Sequence, residues 1–462
     1  MSAPRKKPAP LSGVRVLDLT SFLGGPYAGM LLADLGADII KVEAPPVGDP
    51  ARDRQDLPGY SSTFSGVNRN KRSVLLDLKQ KEARPLLHRM VKQSDVLMLS
   101  IRPRSRAALG LDYASLKKVN PQLIYCSVTG YGETDAARDV PAFDTTAQAM
   151  SGLLALVLGS VDREVTIRAF LSDVLAGVFA CNGVLAALNA RHLTGRGQEV
   201  RTSLLQASLA FEIFNFHTLF AAQAAGHEFS NVRPAGYLLR GSDNLPFAVH
   251  VPPSPERNFN TFAETLGMSW LIQDERFHNK ATRAANYSVL HHLIVEHVRA
   301  RGTRAEWVKR LAKREVACSP IYELAEVFGD PIVKSLGMLK TVVDPWGKKQ
   351  RTVGSGVDFS DTPAVEPTRA PLLGEHNREV MKLFGLGKAE IDSLEKSGVL
   401  AAPHADVAAL ARGTRKASGK AGSASARAGR GADTKTKART KTQVKTQVKT
   451  QAKSKAKTRS GV

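Results

Sequence analysis

From residue 11 to about 210, short apolar runs alternate with stretches in which apolar positions recur every three or four residues. Val14 to Leu19 reads as a strand, Pro26 to Leu35 as a helix and Asp38 to Val42 as a second strand, with Gly24 and Gly25 as the turn between the first two. Together they make a βαβ unit. The same alternation continues with "SVLLDLK" (Ser73 to Lys79), an amphipathic helix in "KEARPLLHRMVKQS", and strands in "DVLMLS" and "LIYCSVTGYG". Such alternation predicts a parallel sheet covered by helices. An acid, Glu43, closes the first unit as a dinucleotide fingerprint would ask. The glycines fall at 24, 25 and 29, however, so no G-x-G-x-x-G can be drawn, and the ligand of the unit stays open.

After about Ala225 the pattern changes. "LPFAVHV" is a short strand, "PPSPE" a proline-rich turn, and Thr303 with Glu306 a capping box ahead of "WVKRLAKR". The expected organisation is a leader at 1–10, a large α/β domain at 11–225, a smaller α+β domain at 226–330, a return segment at 331–402 and a basic tail at 403–462.

The 462 residues carry a formal charge of +22, which invites a nucleic-acid reading until the charges are located. Fifteen of those net positive charges lie between Ala411 and Val462, where lysines recur every four positions and large apolar residues are scarce. Like charges at helical spacing and low hydrophobicity predict a disordered extension. It suits non-specific polyanion binding by counterion release, with no aromatics to read bases. The N-terminus has no apolar core of a secretory signal, and the apolar stretch Val174 to Ala190 falls short of about 20 residues, so a buried helix rather than a membrane span is expected. Cys126, Cys181 and Cys318 are odd in number and scattered, which suits reduced thiols in a cytoplasmic protein and builds no metal site.

One segment suits covalent chemistry. Ser172 and Asp173 open an apolar helix that "TGRG" should stop. A carboxylate there meets the positive end of the helix dipole and free N–H groups, which should favour its ionised, nucleophilic form. Gly177, one turn on, would leave room for a ligand. The alternative is an ordinary capping residue. His291, His292 and His297 share one helix without the spacing of a zinc motif.

Seven segments in order, "LSGVRVLDLT" with "GGPYAGMLLADLGADIIKVEAP", "NRNKRSVLLDLK", "SDVLMLSIRP", "LGLDYASLKKVNPQLIYCSVTGYG", "FDTTAQAMSG", "SDVLAGVFACNGVLAALNARHLTGRGQEV" and "RAPLLGEHNREV", resemble the class III coenzyme A transferases. That family includes formyl-CoA transferase, carnitine CoA-transferase and α-methylacyl-CoA racemase. The resemblance implies a Rossmann-like large domain, an interlocked homodimer, and CoA or acyl-CoA as substrate with no permanently bound cofactor. It further implies that Asp173 matches the catalytic aspartate, which attacks an acyl-CoA thioester and passes CoA to an acceptor carboxylate through covalent aspartyl intermediates. By position, Leu23 and Gly24 would line the CoA site and Ala44 would lie near the adenine, where an Arg is common. Leu76, Asp77, Leu78 and Lys79 would flank the nucleotide, and Ser100, Ile101 and Arg102 the pantetheine approach.

The chain departs from the family pattern at Ser100 (commonly Asn), at Ala108 (commonly an Arg toward a CoA phosphate) and at "GETDAARD". These departures are the basis of an alternative, a degenerate CoA-binding homologue with a basic interaction tail. The racemase places a His before the Asp of "FDTTAQ", where this chain has Phe143, which cannot titrate.

Overall fold

The computed structural model describes residues 7–53, 60–159, 167, 169–229 and 235–406. Most of the basic tail and the first six residues of the leader therefore lie outside the described residues. Strands β1 (Arg15–Leu19), β2 (Asp38–Glu43), β3 (Lys71–Leu75), β4 (Val96–Leu99), β5 (Ile124–Thr129) and β6 (Glu199–Ser203) form one sheet in the order β3-β2-β1-β4-β5-β6. Every pairing is parallel. That order reverses between β1 and β4, the place where doubly wound sheets bind ligands beyond their strand ends.

The strands read as nearly continuous apolar runs because both faces of the sheet are covered. Leu17, Ile40, Val74, Leu97 and Tyr125 pack on one face with Leu86, Met90, Val380, Phe384 and Ile391. On the other face Val16, Ile39, Val96, Met98 and Ile124 meet Ala28 and Leu32 of helix Gly24–Asp34 and Ala176, Ala180 and Val184 of helix Leu171–Thr194. This last helix is long and apolar enough to cross a membrane by length and composition, and its buried stripe is spent on the sheet.

The expected strand Ser73 to Lys79 is displaced. β3 begins at Lys71 and ends at Leu75, because Asp77 accepts the Lys79 N–H (3.1 Å) and turns the chain out of the ladder. Leu76 instead bridges Leu400, and the Leu75 N–H donates to Asn377 Oδ1 at 2.9 Å, so the C-terminal helices close over this edge.

The smaller sheet joins β7 (Gly236–Arg240), β8 (Pro246–His250) and β9 (Ala317–Pro320) antiparallel, over a core that includes Tyr237, Phe247, Phe262, Ile294 and Trp307. The capping box forms as expected, with the Thr303 N–H donating to Glu306 Oε2 at 2.8 Å and the Glu306 N–H to Thr303 Oγ1 at 3.3 Å. His291 stacks on Tyr237, so it serves packing. A hairpin, β10 (Leu339–Val343) and β11 (Lys349–Val353), precedes the return.

Gly177 does not open space for a ligand. A Cβ there would lie 2.7 Å from the Gly24 carbonyl oxygen and 2.8 Å from the Tyr27 ring, so the missing side chain lets two helices touch. Gly177→Val is expected to cost about 1 to 3 kcal/mol in a urea titration, since the neighbour is backbone and cannot yield. A loss below about 0.5 kcal/mol would show that the helices separate freely.

Candidate active site

Helix Leu171–Thr194 begins after Phe170, which gives no side-chain cap, and ends at Gly195 with φ of 66°. Its first turn is capped from a distance: the Asp173 N–H donates to Asp144 Oδ1 at 3.0 Å. Asp144 is itself fixed by Gln148, which also reaches the Ala169 carbonyl. Asp173 is thus not the cap but the group that the cap positions. Gly24 lies against it, since a Cβ on Gly24 would sit 3.1 Å from Asp173 Oδ1.

A helix start by itself favours the ionised carboxylate. Burial outweighs it, and with the neighbouring Asp144 pushes the Asp173 carboxyl up to about 6, against a hydrogen bond from the Gly24 backbone. An enzyme that needs this carboxylate ionised should gain activity as pH rises through about 6. A kcat/KM profile from about pH 5 to about pH 8 is the check, and a flat profile would show that Asp173 need not ionise.

Three neighbouring cavities with shared lining residues lie here. One of about 250 Å³ is lined by Ala44, Leu76, Asp77, Leu78, Lys79 and Ile101. It shares Ser21 and Ile101 with a second, of about 340 Å³, which holds Gly24, Ser100, Arg102 and Asp173. The third, of about 230 Å³, holds Leu23 and again Asp173. Every residue that the resemblance assigned to the CoA site or to catalysis lines one of these cavities, and Asp173 lines both the second and the third.

Sequence reasoning missed what holds the loop between β1 and helix Gly24–Asp34. The Phe22 N–H donates to Asp49 Oδ1 at 3.0 Å, Lys41 donates to the Thr20 carbonyl at 2.8 Å, and the Ser21 N–H donates to Ser100 Oγ at 3.0 Å. Lys41 lies 2.9 Å from Asp49 Oδ2 with both side chains buried. Burial alone would discharge Lys41, but Asp49, Asp18 and Glu43 keep it protonated. Beside it, Lys71 reaches Asp18 Oδ2 (2.8 Å), the Pro26 carbonyl (2.8 Å) and Asn68 Oδ1 (2.9 Å). Glu43, the acid of the apparent fingerprint, is occupied by Arg52 at 2.6 Å and by Ser73 Oγ at 2.6 Å, and it does not serve a ribose. Phe22 itself sits at φ of 66°, a left-handed conformation unfavourable for a bulky residue. A lysine inside an apolar strand pattern was the available signal, because a buried ammonium needs a partner.

One of the departures from the family pattern is tied to the neighbouring loop. Arg106 is buried against Glu133 of "GETDAARD" at 2.8 Å and donates to the Ile101 carbonyl. Although burial opposes it, hydrogen bonds from Arg106 and Ser127 hold the Glu133 carboxyl below its ordinary range. Arg106 is therefore committed to shaping the loop. The cation that approaches Ala108 comes from another helix, with Arg84 Nη2 3.2 Å from the Ala108 carbonyl.

Among the described residues no cluster of three or more His, Cys, Asp or Glu could hold a metal ion. A parallel α/β sheet with cavities lined by a half-buried carboxylate beyond its strand ends is the arrangement of a doubly wound α/β ligand-binding protein. The chain belongs to CoA-transferase family III, whose profile matches residues 11–377. It is 34% identical to the acetyl-CoA:oxalate CoA-transferase of Acetobacter aceti, the alignment covering 84% of this chain and 99% of that one. It is 30% identical to the succinate–glutarate CoA-transferase of Agrobacterium fabrum, covering 85% and 98%. The crystal structure of a CaiB/BaiF family protein from Brucella suis matches with a TM-score of 0.70 at 32% identity, covering 82% of this chain and all of that one.

Proposed function

We propose that this enzyme moves coenzyme A from an acyl-CoA donor to a carboxylic acid acceptor, with Asp173 as the nucleophile. The observation that carries the reading is the position of that half-buried carboxylate, which lines both the larger and the smaller cavity. In the proposed sequence, an Asp173 oxygen adds to the thioester carbonyl and the C–S bond breaks, giving a mixed anhydride and CoA thiolate. The thiolate then attacks the aspartyl carbonyl, expelling the donor acid as its carboxylate and leaving an aspartyl-CoA thioester. The acceptor carboxylate attacks that thioester and releases the thiolate again. The thiolate finally takes the acceptor acyl group and frees Asp173, with no net proton change. Helix Gly24–Asp34 starts beside the carboxylate, and its first N–H groups have no partners within the helix, which suits an oxyanion there. Incubation with a panel of acyl-CoA thioesters, followed by peptide mass spectrometry, should find an adduct on Asp173. Transfer without an adduct that can be trapped on this residue by hydroxylamine would overturn the covalent role.

The working unit proposed is an interlocked homodimer. Helix Ile213–Ala224 buries none of its residues within the chain, and Ile213 (72%), Phe214 (70%) and Phe220 (59%) stand exposed. Exposed apolar area of this kind marks an interface. Sedimentation should give a dimer that Phe214→Glu with Phe220→Glu weakens, and a monomeric unaltered protein would refute it. Non-specific polyanion binding is assigned to the basic tail. The free thiols fit a cytoplasmic setting.

A further inference from the structure

Two cavities are lined by Asp173 and share an aromatic pair. The Phe22 and Phe143 rings touch edge to face with centroids 5.8 Å apart, and both cavities reach these rings, Asp144 and Asp173. The larger continues past Ser100 and Arg102 toward the Leu76 to Lys79 cleft. The smaller, of about 230 Å³, shares no lining residue with that cleft. A thioester held at Asp173 with its CoA arm in the larger cavity has the smaller one for the group it carries.

The lining of that smaller cavity is mostly hydrocarbon. Leu23, Ala51 and Phe170 add to the two rings, and Thr63 and Thr145 contribute hydroxyls. The charged side chains on it, among the described residues, are Asp144 and Asp173, both acids. Apolar surface of this kind favours a hydrocarbon chain. A carboxylate at the far end of the ligand would be desolvated beside like charge, with no cation among the described lining residues to meet it.

We infer that this cavity seats the acyl chain, and that the chain is short and apolar, that of a monocarboxylic acid. The inference rests on the transferase reading above and adds the substrate class. It separates this enzyme from the relative named for succinate and glutarate, both of which carry a second carboxylate.

Butyryl-CoA and succinyl-CoA test it, because their acyl chains are of equal length and differ in a methyl against a carboxylate end. The full-length protein, with propionate as acceptor, should show kcat/KM higher for butyryl-CoA by about tenfold or more, and the Asp173 adduct should accumulate faster with it. A preference for succinyl-CoA, or equal rates, overturns the inference while leaving the transferase reading intact. No adduct and no transfer with either donor overturns both. Thr63→Lys, which places a cation in the cavity, should move the donor ratio toward succinyl-CoA by about tenfold. An unchanged ratio in that folded variant would show that the acyl chain lies elsewhere.

Discussion

Asp173→Asn is expected to lower CoA transfer by at least about a thousandfold, because the amide removes the nucleophile while keeping its shape. The same change should stabilise the protein at neutral pH. In the folded state burial and Asp144 raise the Asp173 carboxyl to about 6 from an ordinary 3.8, so the folded chain holds this proton more tightly than the unfolded chain. Stability from this group is therefore full below about pH 4 and is lost as pH rises through about 6. Asparagine escapes that loss. Thermal melting should show the variant gaining on the native protein at about pH 8 and losing that gain at about pH 4. A variant with substantial turnover would end the nucleophile assignment. A melting difference independent of pH would mean that the carboxylate is not strained in the folded state.

Lys71→Met should destabilise the fold by about 3 to 5 kcal/mol, the larger of the stability effects expected here. Its ammonium is buried with Asp18, at 2.8 Å, and each side chain is 0% exposed. Removing the cation alone strands a carboxylate that also accepts the Thr20 N–H at 3.0 Å, and the Pro26 carbonyl in helix Gly24–Asp34 loses the ammonium that donates to it. The double variant Lys71→Met with Asp18→Leu should recover part of the loss, because the stranded charge is then gone. Urea titration gives the stabilities and calorimetry with CoA the consequence for the loop. A single variant within about 1 kcal/mol of the native protein would show that the buried charges are dispensable.

These two predictions depend on different kinds of information. The parallel sheet and its helices were legible because hydrophobic period is local: a strand buried on both faces needs consecutive apolar residues, and a covering helix needs them every three or four; Gly24 and Gly25, read as the turn after β1, instead form the first turn of the helix. The glycine stop after Thr194 and the Thr303–Glu306 cap were legible for the same reason, since both are set within a few residues. Asp173 was legible as a candidate from its place at a helix start and from the motif around it.

What the tertiary structure decided are relations between residues far apart in sequence. It turned Gly177 from a ligand gap into a helix contact, gave Glu43 to Arg52 rather than to a ribose, and paired Glu133 of the departing "GETDAARD" segment with Arg106. It also reversed the sign expected for Asp173. The helix dipole is a local property and can be read from sequence, but desolvation and the charge of Asp144, 29 residues earlier in the chain, exist only once the fold excludes water and brings the two acids together.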